Sequence, residues 1–298
     1  MLPFRSLLPL AACLSATSAL AQQPIPEVKI EPINDHLFMV VGLGGNLALS
    51  IGDDATFIVD DQMQPIIPKL RAAIAELTPR PVDFVLNTHW HFDHSGGNEA
   101  FGAAGALIVA HDNVYARMST EQVNSLFGSV RKPSPGVALP VITFDHTTTL
   151  HLNGDTIVAS HLPAAHTDGD VLVHFVESNV YHLGDTFFTA SYPFFDMDSG
   201  GSIDGLVRAV EKVLGVVDEA AVIIPGHGHM TDKAGLQEYR DMLVTIRDRV
   251  AKLIGEGADR DAVMAAKPTA DFDARWGQSE FMPVERWLPL VYKSLAEQ

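Results

Sequence analysis

Cysteine is almost absent from this chain of 298 residues, which contains a single one, Cys13. Cys13 lies in an N-terminal segment that has the features of a cleaved leader, described below. If that segment is removed, no thiol remains, and both disulfide bonds and thiol-based catalysis are excluded. The fold must then be stabilised by its apolar core, for which 47% hydrophobic residues are ample.

Basic residues are also scarce, since 20 lysines and arginines face 37 acidic residues and the formal net charge is −17. A nucleic-acid partner requires a basic surface that can neutralise phosphates. The charge balance therefore excludes nucleic acid and favours a small-molecule substrate. The sequence leaves the oligomeric state open.

Long apolar runs are missing except near the N-terminus. Arg5 supplies a positive charge, residues 6–16 are mostly apolar, and Ala19-Leu20-Ala21 has the small-x-small form of a cleavage site. This order is typical of a secretory signal peptide. We therefore expect residues 1–21 to be removed before Gln22, and the mature protein to be periplasmic or secreted.

The N-terminal segment has two alternative interpretations. A transmembrane anchor needs about 20 apolar residues, which this run lacks, so no transmembrane segment is predicted. Lipid anchoring through Cys13 is the second alternative, because Leu10-Ala11-Ala12-Cys13 resembles a bacterial lipoprotein box. The remainder, residues 22–298, is predicted to form one domain with a helical C-terminal tail.

The pattern of apolar residues divides the chain into two β-rich halves. The first half contains the strand-like runs HLFMVVG, NLALSIG, ATFIVDD and VDFVLNT, and a helical spacing that places Ile66, Ile67, Leu70, Ile74 and Leu77 on one face. The second half contains VITF, TTTLHL, TIVASHL, VLVHFVE, VYHLGD and AVIIP, with helices near residues 203–217, in EYRDMLVTIRDRVAKLI and over residues 283–295. This order predicts an α+β fold in which two sheets pack face to face with helices outside, a four-layer αββα sandwich.

Four coordinating side chains occur within six residues, in His89-Trp90-His91-Phe92-Asp93-His94. If the backbone is extended, His89, His91 and Asp93 share a face, and the following glycines let His94 turn to another direction. Imidazole and carboxylate groups are suitable ligands for zinc and similar divalent ions. The spacing therefore predicts a metal site.

Further ligands must come from other strand ends. His166 follows TIVASHL, Asp185 ends VYHLGD, and His227 follows AVIIP. Each lies where a β-rich run meets a loop of small residues, a common place for catalytic groups on a rigid scaffold. We predict that these three residues complete the metal site.

Together these motifs resemble the metallo-β-lactamase superfamily, whose signature appears here as THWHFDH, followed in order by AHT, GD and PGHG. The resemblance implies two metal ions, expected to be zinc, with iron or manganese as alternatives. It implies that His89, His91 and His166 bind one ion, that Asp93, His94 and His227 bind the other, and that Asp185 bridges them. It also implies that Asp60 supports the signature loop.

The chemistry implied by this resemblance is hydrolysis. Two divalent ions that share a water lower its pKa from about 15.7 to about 7, and the resulting hydroxide can attack an ester, lactone, thioester or related bond. Asp93 is the predicted catalytic residue, because its carboxylate can hold that water or return a proton. The alternatives are a β-lactamase, an iron-dependent oxygenase and a non-catalytic zinc-binding protein.

Departures from subfamily patterns narrow the substrate without identifying it. Asp185 stands where one β-lactamase branch has a cysteine, and it resembles the arrangement in glyoxalase II, lactonases and phosphoesterases. No clear basic cluster for a glutathione thioester is visible in the tail, while the export signal favours a β-lactamase. Whether His229 or the aromatic loop of residues 187–195 contacts substrate is left open, as is a role for residues 42–46 as an opposite wall.

Histidines outside these motifs are predicted to be structural, because they are scattered through strand and helix patterns. They are His36, His111, His146, His151, His161, His174 and His182.

Overall fold

Two β-sheets lie face to face in the computed structural model, which describes residues 24–297. The predicted signal peptide of residues 1–21, its cleavage before Gln22 and the alternative lipid anchor at Cys13 all lie outside the described residues. Within the described range, no helix combines the length and the apolar composition that a bilayer crossing requires.

The first sheet contains seven strands in the order β1-β2-β3-β4-β5-β6-β9. They are β1 (Lys29–Pro32), β2 (Leu37–Val41), β3 (Leu47–Ile51), β4 (Thr56–Val59), β5 (Phe84–Leu86), β6 (Leu107–His111) and β9 (Ile142–Phe144). Strands β1 to β4 pair antiparallel, whereas β4, β5, β6 and β9 pair parallel. A separate hairpin, β7 (Gln122–Asn124) and β8 (Ser129–Arg131), lies between β6 and β9 in the chain.

The second sheet contains five strands in the order β10 to β14. They are β10 (Thr147–Leu152), β11 (Asp155–Leu162), β12 (Asp170–Phe175), β13 (Val180–His182) and β14 (Val222–Ile224). Only β13 and β14 pair parallel in this sheet.

Apolar side chains on alternating strand positions fill the space between the sheets. Phe57 and Val59 of β4 meet Val171, Val173 and Phe175 of β12, and all five are fully buried. The residue between Phe57 and Val59 belongs instead to the outer core, as the two-residue period of a strand requires. Burial of each such side chain contributes about 1.5–3 kcal/mol, so this layer is the main link between the two halves.

Helices cover both outer faces. The helices are α1 (Ile67–Leu77), α2 (Phe92–Ser95), α3 (Asn98–Ala103), α4 (Asp112–Met118), α5 (Ile203–Leu214), α6 (Lys233–Gly255), α7 (Arg260–Ala266), α8 (Asp273–Trp276) and α9 (Val284–Ala296). α1 and α3 pack on the first sheet, and α5, α6 and α9 pack on the second. The predicted αββα sandwich is confirmed, and the helical tail is part of its outer layer.

Two details of the predicted helix over residues 66–77 require correction. Leu77, placed on the buried face, is 43% exposed, because α1 ends there and the chain becomes extended at Thr78. Residues 64–66 form a separate 3-10 turn before α1. The sequence pattern also failed to identify β6, a five-residue strand between β5 and β9.

The ends of the parallel strands position the polar residues. Asp60 directly follows β4, and the signature loop follows β5, which is parallel to β4. Asp185 and His227 follow the parallel pair β13 and β14 in the other sheet. The carboxyl ends of parallel strands meet at one sheet edge, so the two sheets present these residues to each other at one end of the sandwich.

Candidate metal centre

The structure brings the seven predicted ligands together in two neighbouring groups. One group contains His89, His91 and His166, and the other contains Asp93, His94, Asp185 and His227. In each group the potential ligand atoms lie within 4.8 Å of one another. No other group of this kind occurs within residues 24–297, and none of the seven histidines predicted to be structural belongs to one.

The first group is shaped by hydrogen bonds to the outer nitrogen of each imidazole. His166 donates from Nδ1 to the Phe194 carbonyl at 2.8 Å, and His91 faces the Asp196 carboxylate through Nε2 at 3.0 Å. The inner nitrogens, His91 Nδ1 and His166 Nε2, are then only 2.8 Å apart. Because a neutral imidazole carries one N–H, both inner nitrogens present lone pairs to each other.

The same logic holds for His89. Asp60 Oδ2 accepts a hydrogen bond from the Thr88 hydroxyl at 2.7 Å, which leaves the Thr88 oxygen free to accept from His89 Nδ1 at 3.0 Å. The remaining nitrogen, His89 Nε2, is buried and has no hydrogen-bond partner among the described residues. Its lone pair points into the group.

The second group is organised around His94. Its Nδ1 donates to Asp60 Oδ2 at 2.7 Å, and its Nε2 lies 2.9 Å from Asp185 Oδ1. Burial opposes the charged form of His94, but Asp185 outweighs it and raises the pKa of His94 well above its usual value, so Nε2 also donates. His227 Nε2 lies 3.2 Å from Asp93 Oδ2 and 3.4 Å from Asp185 Oδ1. Two imidazoles and two carboxylates therefore converge, and a metal ion that displaced the imidazole protons would meet ligand atoms from several sides.

Asp185 stands between the groups. Its Oδ1 faces His94 and His227, while its Oδ2 lies 3.6 Å from His166 Nε2 and 3.9 Å from His89 Nε2. One carboxylate thus offers one oxygen to each group. This is the arrangement that a bridging carboxylate requires.

Asp60 is the buried base of the signature loop. It is fully buried, and its two oxygens accept from the Thr88 amide, the Thr88 hydroxyl and His94 Nδ1, each at 2.7 Å. Its backbone has φ of 64°, a conformation that aspartate and asparagine tolerate better than most residues. The structure places Asp60 where the family resemblance implied.

The pKa values of the histidines differ between the two groups. Burial lowers the pKa of His89 well below its usual value and the pKa of His166 to about 4, so both imidazoles are neutral at pH 7. Burial also opposes the charged form of His227, but Asp185 outweighs it and raises the pKa of His227 to about 9. Burial likewise opposes ionisation of Asp93, yet His94 lowers its pKa to about 2.

A cation fits this arrangement better than any protein group. Lone pairs of His89, His91 and His166 face one another, and in the second group two imidazoles converge with two carboxylates. Buried acceptors without donors are costly, and a divalent ion in each group would satisfy the lone pairs of the first and replace the imidazole protons of the second. Nitrogen and oxygen donors of this type suit zinc. The seven ligands nevertheless stay predictions.

Glycines permit the close packing around the groups. A Cβ on Gly45 would lie 2.0 Å from His94 Cε1, and one on Gly226 would lie 2.1 Å from Asp185 Oδ1. The Gly45 amide also donates to the Asp93 carbonyl at 2.9 Å. Part of the segment 42–46, proposed as an opposite wall, therefore packs directly against the ligand loop.

One geometric expectation about the signature is wrong. His89, His91 and Asp93 do not share a face of an extended segment, because α2 begins at Phe92 with His91 as its N-cap. The helical turn rotates Asp93 and His94 toward the second group and leaves His91 with the first. The sequence did not predict this short helix, because residues 89–94 are mostly polar and show no helical pattern of apolar residues.

The aromatic loop after Asp185 divides between core and site. Phe187, Tyr192 and Phe195 are fully buried in the core. Phe188 stacks on His227 with ring centroids 5.1 Å apart, and Phe194 lies 5.8 Å from His91. His229 is exposed, and its amide donates to the Thr189 hydroxyl at 2.9 Å.

Sequence reasoning missed three buried carboxylates beside the ligands. Asp196 contacts His91, Asp170 accepts from the His166 amide at 2.6 Å, and Asp61 accepts from the Gly97 amide at 2.7 Å. Burial raises the pKa of Asp170 to about 8 and that of Asp61 well above its usual value. Of these three carboxylates, only Asp170 could have been identified from the sequence, because it lies four residues after His166 at the start of a strand.

The protein is an αββα sandwich that carries two groups of potential metal ligands. Comparison with known proteins gives its family. The profile of the metallo-beta-lactamase superfamily matches residues 43–231. This match covers more than half of the chain and includes every predicted ligand. The chain belongs to the metallo-beta-lactamase superfamily, as the sequence motifs indicated.

Similar proteins of known activity include thioester hydrolases. The hydroxyacylglutathione hydrolase of Polaromonas sp. is 25% identical over 169 residues, covering 56% of this chain and 57% of that protein. The human acyl-coenzyme A thioesterase MBLAC2 is 26% identical over 170 residues, covering 53% and 60%. The chain thus spans less than two thirds of these relatives. A mitochondrial hydroxyacylglutathione hydrolase of Saccharomyces cerevisiae is 26% identical over 250 residues, covering 81% and 77%. The names of these relatives agree with the prediction that this protein is a hydrolase.

Solved structures share the fold. The DIM-1 metallo-beta-lactamase superposes with a TM-score of 0.60 at 19% identity, covering 74% of this chain and 99% of that one. The sec-alkylsulfatase Pisa1 from Pseudomonas sp. superposes with a TM-score of 0.70 at 15% identity, covering 90% and 50%. At such identities the likeness concerns the fold alone.

Proposed function

We propose that this protein is a zinc-dependent hydrolase that uses two metal ions to cleave thioesters. The observation that carries the proposal is the convergence of seven potential ligands in two neighbouring groups, with Asp185 offering one oxygen to each group. When bound, two divalent ions would supply Lewis acidity and a water activated near neutral pH. A purely structural zinc site is usually closed by four ligands, which argues against a non-catalytic role.

Asp93 is positioned to handle protons. Its side chain is 17% exposed, whereas that of Asp185 is 6% exposed, so Asp93 is the ligand-group carboxylate more open to a substrate. Because the pKa of Asp93 is about 2, the carboxylate is ionised at neutral pH and can accept a hydrogen bond from water. It can also take up a proton and return it to a leaving thiolate.

The thioester assignment rests on the relatives. Hydroxyacylglutathione and acyl-coenzyme A are both thioesters, and their hydrolases match 56% and 53% of this chain. The thiol portions of those two substrates differ, so the shared chemistry is the thioester bond itself. A β-lactamase is the second candidate, favoured by the fold of the DIM-1 enzyme and by the predicted export signal.

Metal-dependent turnover tests the proposal. The purified protein, stripped by a chelator and titrated with zinc, should hydrolyse S-acetyl and S-lactoyl thioesters, with activity rising to two equivalents. An oxygen ester, a lactone and a chromogenic cephalosporin serve as competing substrates, and oxygen uptake with iron tests the oxygenase alternative. Cleavage of the cephalosporin without any thioester turnover would refute the thioester assignment.

A matched pair of variants ties turnover to the site. Asp185→Asn removes the charge shared between the groups, whereas Asp155→Asn changes a buried aspartate that contacts His36 and lies outside both groups. The first should abolish most activity and the second should leave it intact. Equal activity of the two variants would mean that thioester hydrolysis occurs elsewhere.

A further inference from the structure

The β7–β8 hairpin is fixed beside the metal centre at both of its ends. At its base, the Arg131 guanidinium lies 5.8 Å from the centroid of Trp90, the residue between two ligands. Near its tip, the Ser125 amide donates to Asp198 Oδ2 at 2.6 Å, and Asp198 lies two residues after the Asp196 that contacts His91. The hairpin is therefore held in one place relative to the first ligand group.

The tip of the hairpin joins two distant segments in an aromatic cluster of Phe127, Phe194 and Phe281. The ring centroid of Phe127 lies 5.3 Å from the centroids of both Phe194 and Phe281, and the centroids of Phe281 and Phe194 are 6.3 Å apart. The Arg286 guanidinium lies 5.7 Å from the Phe127 ring, and it donates to the Phe281 carbonyl. The hairpin, the loop after Asp185 and the segment before α9 thus build one surface.

This aromatic cluster continues into the ligand groups. Phe194 is 6% exposed, and its ring lies 5.8 Å from His91 and 5.5 Å from His166. Phe127 and Phe281 are 39% and 49% exposed, although large aromatic side chains gain most when buried. A continuous row of aromatic rings therefore connects the imidazoles of the first group with the exposed rings of Phe127 and Phe281.

We propose that the aromatic cluster binds the acyl chain of the thioester, which makes the enzyme selective for apolar acyl groups; this rests on the proposed thioesterase function. A chain attached to a carbonyl at the ligand groups can run along Phe194 to Phe127 and Phe281. A short polar acyl group gains nothing there, because the cluster offers ring surface in place of hydrogen-bond acceptors. Each buried methylene should raise kcat/KM roughly fourfold until the surface is covered.

The experiment varies the length of the acyl chain and measures turnover. N-acetylcysteamine thioesters with acyl chains of two to ten carbons keep the thiol constant, and release of that thiol reports turnover. The wild type should prefer the longer chains. In the double variant Phe127→Ala/Phe281→Ala, the ratio of kcat/KM for decanoyl over acetyl should fall by about tenfold or more.

Three controls separate a binding role from a structural one. Phe127→Leu/Phe281→Leu keeps an apolar surface and should restore much of the preference. Val130→Ala alters the same hairpin at a side chain that is 61% exposed and outside the aromatic cluster, and it should change nothing. Phe194 is left intact because it contacts ligand imidazoles.

A binding measurement makes the test independent of catalysis. The non-hydrolysable S-decyl thioether of N-acetylcysteamine should bind the zinc-loaded wild type in calorimetry and bind the double alanine variant at least tenfold more weakly. If the zinc-loaded wild type binds the thioether but hydrolyses no thioester, the proposed function is rejected and the acyl site is kept. Turnover that is indifferent to chain length, or thioether binding that is equal in both proteins, would overturn the acyl site and leave the function standing.

Discussion

Replacing Asp60 by asparagine should reverse the hydrogen-bond chain that sets the imidazole tautomers. One oxygen of Asp60 accepts from the Thr88 amide, and this bond survives in Asp60→Asn. The new amide nitrogen then faces the Thr88 hydroxyl and His94 Nδ1, which both donate to Asp60 in the native protein. Asparagine tolerates the φ of 64° at this position, so backbone strain does not contribute.

The consequence for metal binding follows from proton positions. His94 Nδ1 must become the acceptor, which keeps a proton on Nε2, the nitrogen that faces Asp185 and that a metal ion needs as a ligand. The Thr88 hydroxyl, now accepting from the amide, turns its proton toward His89 Nδ1, so His89 is also driven to the wrong tautomer. Loss of such supporting partners typically costs about 10–100-fold in metal affinity, or about 1.4–2.7 kcal/mol.

Stability should fall as well, by about 2–4 kcal/mol in the metal-free protein, because two buried bonds to a charged acceptor are replaced by weaker ones. The matched control is Asp61→Asn. Asp61 is the adjacent buried aspartate, one oxygen of which accepts from the Gly97 amide while the other has no partner among the described residues. This control should retain wild-type zinc affinity.

Zinc competition with a chromophoric chelator measures the affinity, and denaturant unfolding in excess chelator measures stability separately. The tautomers of His89 and His94 can be read from imidazole nitrogen shifts in NMR spectra. Asp60→Asn protein with wild-type zinc affinity and unchanged tautomers would show that the hydrogen-bond chain does not control the ligands.

Three further predictions concern the site and the N-terminus. Asp93→Asn should retain part of its zinc at neutral pH but lose about 10²-fold or more in kcat, as steady-state assays in excess zinc will show; a wild-type rate would exclude an acid–base role. Asp185→Ala should lower the zinc-to-protein ratio and turnover, whereas exposed His229→Ala should change neither measurably; equal losses would mean that Asp185 does not bridge. Mass spectrometry of the exported protein should find Gln22 first, and a lipid-modified Cys13 would instead establish a membrane anchor.

Much of the site was determined by the local sequence. The ligand types are visible in THWHFDH, and His166, Asp185 and His227 were recognisable because each follows a β-rich run. Strand periodicity and the positions of small residues depend on neighbours in the chain, which is why both halves of the sandwich could be predicted. The count and order of candidate ligands needed no tertiary information.

The grouping of those ligands was already implied by the family resemblance, whereas the tertiary structure decided their protonation and the side chains that support them. His91 and Asp196 are 105 residues apart, and no local pattern marks their contact. The tautomer of His94 depends on Asp60, which the strand order brings beneath the signature loop. The aromatic cluster likewise joins Phe127 to Phe281 across three segments. Such contacts depend on how the two sheets and the hairpin pack, because packing alone brings residues distant in sequence within hydrogen-bonding or ring-contact distance.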